Sequence, residues 1–269
     1  MPELPEVEAF CNYVKNTSLD KKIIKLNCKS KPLLKKPSFP LFQKQLIGQT
    51  FKKATRRGKY LIIDSNDQQL IIHFGLTGSL VFCKNDQESV PFSQLVIFFN
   101  DHSALHITDK RKFAKIWLTE SFHEIKSIEE LGQDALNIPE QNFIALFQQN
   151  HRQNIKAFLM DQKKIAGIGN EYSDEILFQS EIDPHHKVAE ISLQKVKKIY
   201  LKMNVIFKYA IKLCSNNLKN LKKIDDGFAS NYLQAHRHTD QKCPNNESHI
   251  LKKITIASRS SYYCPIDQK

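Results

Sequence analysis

Residues 163–178 read KKIAGIGNEYSDEILF, and Gly167, Gly169 and Asn170 come directly before a helical pattern. The first N–H groups of a helix have no partner within it. Together with the helix dipole they make a site for a phosphate. The spacing is not a G-x-G-x-x-G following a strand, so a doubly wound dinucleotide fold is disfavoured. The surrounding stretch, from about residue 140 to 214, reads as helices. From Ser192 onward, Leu193, Val196, Ile199, Tyr200, Met203, Ile206, Phe207, Ala210 and Ile211 keep helical spacing. Ser192 is placed to cap that helix, and its apolar stripe reads as core.

On the N-terminal side the period changes. Between about Lys21 and Leu118 the runs KIIKLNC, YLIID, LIIHF, SLVFC, LVIFF, ALHIT and FAKIWL are short, apolar and bounded by turn residues. They predict strands of a β-sandwich or flattened barrel. SFHEIKSIEELGQDAL is polar, without period-2 character, and reads as a linker. On the C-terminal side, ILKKITIAS and SSYYC predict a hairpin with Cys243 before it and Cys264 after it. The fold class is α+β. Residues 1–122 form an N-terminal β-sandwich with an N-terminal helix, 123–135 a linker, 136–226 a helical domain and 227–269 a C-terminal β-hairpin region.

Lys and Arg total 40 against 28 Asp and Glu, a formal net charge of +12. That excess favours a polyanionic partner, nucleic acid before an anionic membrane, beside the plainer reading of a basic soluble protein. Between Lys187 and Lys223 ten lysines accompany one acid, Glu190. No run of about 18 apolar residues exists to span a membrane. The N-terminus has no signal-peptide pattern. The six cysteines include four scattered singly, which fits reduced thiols and a cytoplasmic setting.

The start, MPELPEVEAF (residues 1–10), allows two readings that are compatible. In one, Pro5 is the first helical residue, Glu6 and Glu8 favour the helix dipole, and Val7, Phe10 and Val14 face a core. In the other, removal of Met1 exposes the secondary amine of Pro2. A chain α-amino group has a pKa of roughly 7.7–8, so part of it is unprotonated and nucleophilic at neutral pH. Such an amine suits a carbon that can become an imine, such as a sugar C1′. Glu3 beside it could move protons at the sugar ring oxygen. RRGKYLIID, from Arg56, projects Lys59 from a turn at Gly58 or is simply a basic hairpin loop. HFGLTGSL (His73 to Leu80) places two glycines in a strand-turn-strand setting. TDKRKF offers Arg111 and Phe113 two apart, suited to pairing with an orphaned base and wedging into a stack. Alternatively, Phe113 opens the next strand and packs inward. CPNN (Cys243 to Asn246) and CPID (Cys264 to Asp267) look like two C-x-x-C zinc knuckles, each lacking its second cysteine. Cys243, Cys264, Asp267 and the nearby His249 remain as a rearranged donor set, and Asn246 is a poor zinc ligand.

Taken together, MPELPEVE, RRGKYL, HFGLTGSL, TDKRKF, IKAFLMDQKKIAGIGNEYSDEILF and ASRSSYYCP resemble, in order and nearly end to end, the formamidopyrimidine-DNA glycosylase / endonuclease VIII (Fpg/Nei) family. The resemblance implies a bifunctional glycosylase and abasic-site lyase of base-excision repair. It also implies a helix–two-turn–helix motif in the helical domain and a zinc-finger-like hairpin. Pro2 would be the nucleophile and Glu3 the general acid/base, with Glu6 and Lys59 in the catalytic group. Asn170 and Arg259 would grip phosphates and His73 would contact DNA. Leu76, where the family usually has methionine, Arg111 and Phe113 would fill the gap left by a flipped base. The implied partner is double-stranded DNA with oxidised bases or abasic sites, bound by a monomer in the cytoplasm, at the nucleoid in a bacterium. No cofactor takes part in the chemistry, and zinc would be structural. Two departures stand out: two knuckle cysteines are missing, and the loop within NLKKIDDGFASNYLQAH (residues 220–236), which caps oxidised purines in formamidopyrimidine-type enzymes, is short. A non-catalytic binder of damaged or bent DNA is the alternative, and the intact Pro2, Glu3 and Lys59 argue against it.

Overall fold

Helix α1 (Leu4–Thr17) buries Val7, Phe10 and Val14 completely, as their spacing predicts. Its capping residue is Glu3, so Pro5 stands at the second helical position rather than the first. Both positions tolerate a missing N–H, because the first turn has no internal acceptor for it. The structure is a computed structural model and describes residues 1–149, 152–220, 233 and 241–269. Strands β1 (Ile23–Cys28) and β2 (Leu34–Lys36), helix α2 (Phe39–Leu46) and strands β3 (Lys53–Arg57), β4 (Tyr60–Asp64), β5 (Gln69–His73), β6 (Gly78–Cys83), β7 (Ser93–Phe99), β8 (Ala104–Asp109) and β9 (Lys115–Thr119) follow. They form a four-stranded sheet, β1-β7-β8-β6, and a five-stranded sheet, β2-β9-β5-β4-β3. Only the β2–β9 pair among these is parallel.

All seven apolar runs are strands. β2, β3 and α2 are additions. In β3, KATRR, only Ala54 is buried, so an edge strand carrying charges leaves no apolar run to read.

The chain divides into two units. One comprises Met1–Glu130 with Ile211–Phe228, the other Leu131–Ala210 with Ala229–Lys269. The division falls inside the stretch read as a linker. That stretch is also not bare coil: it holds a 3₁₀ turn at Phe122–Glu124, helix α3 (Lys126–Glu129) and strand β10 (Gln133–Asp134). These elements are too short for a periodic signal.

In the second unit, helices α4 (Glu140–Gln149) and α5 (Ile155–Leu159) precede strand β11 (Ile165–Ala166), which pairs in parallel with β10. Helices α6 (Asn170–Gln179) and α7 (Leu193–Asn220) follow, and α7 contributes its residues from Ile211 to the first unit. The α7 stripe is buried at Val196, Ile199, Met203, Ile206, Phe207 and Ala210. Leu193 is 56% exposed, contrary to its place in the sequence pattern, because it lies in the first turn, before the packed face begins. Ser192 Oγ accepts the Lys195 N–H at 3.3 Å, the expected cap. The stretch of residues 220–236 lies, apart from its first residue and Leu233, outside the described residues.

Strands β12 (Lys242–Cys243), β13 (Asn246–Ile250), β14 (Lys252–Ile256) and β15 (Arg259–Tyr263) form two hairpins. β14 and β15 are the predicted pair. They turn through Ala257 and Ser258, both at positive φ (49° and 60°), the geometry of a tight two-residue hairpin turn. Phe178 of α6 packs with Cys243, Leu251 and Cys264 under this region.

A buried ion pair ties the hairpin to the helices. Lys156 Nζ donates to Asp174 Oδ1 at 2.6 Å and to the Ser260 carbonyl at 3.0 Å. Asp174 also accepts the Ser261 hydroxyl at 2.6 Å and the Tyr262 N–H at 3.3 Å. Both charged side chains are within 1% of full burial. Removing one partner leaves the other charge buried and unpaired, which typically costs about 3–5 kcal/mol. Lys156→Ala should therefore lower the urea unfolding free energy by about that amount, and a loss below about 1 kcal/mol would show that this pair does not hold the hairpin.

Candidate active site

Pro2 and Glu3 are buried, unusual for a chain start. The Glu3 N–H donates to Glu6 Oε2 at 2.8 Å, the return half of a capping box. Glu6 itself is 2% exposed, and the Cys214 thiol lies 3.9 Å from its Oε1. The first turn of α1 thus fixes the backbone that carries Pro2.

The turn between β3 and β4 has two residues, Gly58 and Lys59, between paired Arg57 and Tyr60. Gly58 sits at φ 55°, in the first central position, where such a turn requires glycine. Lys59 is nearly buried. Arg56 is the residue of this corner that sequence reasoning did not single out. Its Nε donates to Glu8 Oε2 of α1 at 2.7 Å and its guanidinium donates to the Gly58 carbonyl at 2.9 Å. One side chain, 3% exposed, therefore ties α1 to the turn that presents Lys59. The doubled RR in the sequence showed basic character but not which arginine faces inward.

Strand register gathers further groups at the same end of the five-stranded sheet. Tyr60 is opposite His73, and His73 is opposite Lys115. Desolvation first, then the positive charges of Lys59 and Lys115, lower the His73 pKa from 6.5 to about 4. The ring is therefore neutral at pH 7. The Gly75 N–H donates to its Nδ1 at 3.2 Å, which leaves the proton on Nε2 as an outward donor.

After β5 the chain enters the loop of Leu76, and before β9 it passes through Arg111 and Phe113. Gly75, at φ 62°, lets these loops meet: a Cβ there would lie 2.5 Å from the Phe113 carbonyl carbon. Asp109, fully buried, holds both. Its Oδ1 accepts the Thr77 hydroxyl at 2.5 Å and the Arg111 N–H at 3.1 Å, and its Oδ2 accepts the Ala114 N–H at 2.7 Å. Phe113 is 51% exposed, so it does not pack inward at the start of β9. The Arg111 guanidinium lies over its ring at 5.1 Å, and Leu76 is exposed beside this loop pair. One cation and two apolar groups are thus presented together.

The second unit carries Asn170 and Arg259. Asn170 opens α6 after Gly169, and Gly167 (φ 112°) gives the loop its turn. Gln162 braces that loop by accepting the Gly167 N–H at 2.9 Å and donating to the Ile168 carbonyl at 2.6 Å. Asn170 Oδ1 is buried without a partner. With the amide turned, that end offers NH₂ to an anion. Arg259 leaves the β14–β15 turn and is exposed. Asp174, four residues after Asn170 on α6, is the carboxylate that anchors the hairpin of Arg259. The C-terminal donors also converge. Cys243 Sγ lies 3.0 Å from Asp267 Oδ2, His249 Nδ1 3.0 Å from Asp267 Oδ1, and Cys264 Sγ 3.9 Å from His249 Nδ1. Two thiols, an imidazole and a carboxylate are a donor set that fits zinc.

Residues 1–116 match the family model of the formamidopyrimidine-DNA glycosylase N-terminal domain, and residues 131–221 match that of the formamidopyrimidine-DNA glycosylase H2TH domain. A formamidopyrimidine-DNA glycosylase of Mycoplasma genitalium is 34% identical, the alignment covering 100% of this chain and 96% of the relative. One from Pelotomaculum thermopropionicum is 30% identical over 100% and 99%. Among solved structures, the Lactococcus lactis Fpg (MutM) in complex with FAPY-dG-containing DNA superimposes with a TM-score of 0.86 at 27% identity, covering 99% of this chain and 100% of that one. MutM in complex with DNA containing carbocyclic 8-oxo-G superimposes at 0.84 with 26% identity over the whole of both chains.

The low His73 pKa makes stability depend on pH. Between about pH 6.5 and about 4 the unfolded chain holds more protons than the folded one, so stability is full above 6.5 and is lost as pH falls toward 4. The effect is bounded at roughly 3 kcal/mol. Denaturant titrations at pH 7 and pH 4.5 should show the wild-type chain losing more stability than His73→Gln. Equal losses in the two chains would exclude a buried neutral His73.

Proposed function

The chain belongs to the formamidopyrimidine-DNA glycosylase family, and on that premise we propose how its own residues carry out the reaction. It is a base-excision-repair DNA glycosylase and abasic-site lyase, and its partner is DNA carrying oxidised bases or abasic sites. The observation that supports the residue-level reading most is the buried start of the chain, with Glu3 N–H pinned by Glu6 and α1 pinned to the Lys59 turn by Arg56.

In this reading the active chain begins at Pro2, since a retained Met1 holds the Pro2 nitrogen in an amide. The damaged nucleotide is flipped out of the stack, at a cost that damage lowers. The Pro2 nitrogen bonds to C1′ as the bond from C1′ to the base breaks; the base leaves with the electron pair and takes up the proton that the Pro2 nitrogen loses. Glu3 supplies a proton to the ring oxygen, the sugar opens, and an iminium links Pro2 to C1′. Loss of a C2′ proton then expels the 3′ phosphate, and a second elimination expels the 5′ phosphate. Lys59 and the neutral Nε2–H donor of His73 hold phosphate near the reacting sugar. Leu76, Arg111 and Phe113 occupy the space left in the duplex. Asn170 and Arg259 hold phosphates through the second unit.

Among the described residues no helix is long and apolar enough to cross a membrane. A cytoplasmic location with access to the nucleoid completes the proposal.

Borohydride reduction in the presence of abasic-site DNA should leave a covalent protein–DNA adduct with a chain whose first residue is verified as Pro2. A chain that retains a residue ahead of Pro2 should bind the same DNA without trapping, and trapping by that blocked chain would overturn Pro2 as nucleophile. Glu3→Gln should slow base excision by about 10²–10⁴-fold. Arg56→Met should slow trapping by up to about 100-fold, through misplacement of the Lys59 turn, with DNA affinity retained. An unchanged trapping rate would remove Arg56 from the site.

A further inference from the structure

We propose that the outer face of α7 is a docking surface for an acidic amphipathic helix of a partner protein. Leu193, Lys197, Leu201, Val205 and Tyr209 stand at successive positions four apart. Residues at i and i+4 lie one above the other on a helix, so these five form one ridge, roughly 24 Å long at the helical rise. Leu193 and Tyr209 are 56% exposed, and Leu201 and Val205 are 60% exposed. The core does not account for them, because Ile199, Met203, Ile206 and Phe207 bury the opposite side of the same helix. Single exposed apolar side chains are ordinary. A row of them in register is the feature that one helix fits into the groove of another.

The ridge begins at the rim of an apolar cavity of about 150 Å³ between α4 and the start of α7, lined by Ile144, Phe147, Val188, Ile191, Leu193 and Val196. A cavity of that size holds a group as large as a phenyl ring, so it can receive one anchoring side chain at the end of a docked helix. Charge decides the occupant. α7 has no acidic residue along its whole length. The rows beside the ridge carry Gln194, Lys198 and Lys202 on one side and Asn204 and Lys208 on the other. Lys198 is engaged by Glu181 at 2.8 Å. Lys197, inside the ridge, and Lys208, beside it, are exposed and have no acidic partner among the described residues. A helix with an apolar stripe and flanking Asp or Glu meets both the row and its lysines. A second copy of α7 would bring only more lysines. A phosphate backbone would leave the apolar row unmatched. A lipid surface calls for a broad apolar face, and this one is a single row wide.

The test uses the full chain and a fluorescent, covalently stapled helical peptide of about 18 residues, with leucines four apart and glutamates flanking them. Anisotropy titration should show saturable binding that weakens at least about tenfold in Leu201→Ser and in Lys197→Glu. A peptide of the same apolar pattern flanked by lysines should prefer the chain carrying both Lys197→Glu and Lys208→Glu. Leu201→Ser should keep the wild-type melting temperature and the wild-type affinity for abasic-site DNA, because the side chain is exposed. No saturable binding of the acidic peptide, or binding indifferent to both single substitutions, would overturn the docking surface. A dimer in sedimentation that Leu201→Ser dissociates would assign the ridge to a second copy and overturn the proposal. Binding to phosphatidylglycerol vesicles that Leu201→Ser abolishes would assign it to a membrane, and a loss of DNA affinity in Leu201→Ser would assign it to nucleic acid; either would overturn the proposal as well.

Discussion

The hydrogen bond from the Glu3 N–H to the buried Glu6 carboxylate is the contact on which the active corner depends. The first residues of a chain are the segment most prone to fray, and here the proposed nucleophile, Pro2, is restrained by the helix that follows. Glu6 closes the first turn backward onto Glu3. Val7, Phe10 and Val14 bury the same helix, and Glu8 hands it to Arg56. On the proposed reaction the capping motif and the catalytic motif are the same residues, so the two readings of MPELPEVE are compatible.

Carboxylates do comparable work elsewhere, and they do it from inside. Asp109 gathers the loops of Leu76 and Arg111, and Asp174 gathers α5 and the Arg259 hairpin. Each is buried and accepts at least three hydrogen bonds, and for Asp174 one of the donors is a buried lysine. Burying a carboxylate is costly unless its oxygens are well paired, and these are. The arrangement also suits a polyanionic partner. In a chain with a net charge of +12, the acids that organise these loops sit below the surface, which leaves the bases exposed to a polyanion.

Much of the fold was legible because apolar periodicity is a local property. Seven strands, α1, the α7 core and the β14–β15 hairpin announced themselves within a dozen residues each. β3 and α2 did not: one is a charged edge, and the other is a short helix with Pro40 in its first turn. The groups expected at the site were legible through motifs, whereas the residues that position them were not. Arg56 reaches Glu8 across 48 positions, and Ser261 reaches Asp174 across 87. No local pattern marks an arginine or aspartate whose partner is that distant. Phe113 shows the converse. Its sequence allowed an inward-packing strand residue, and only the Asp109-centred loop turns it outward.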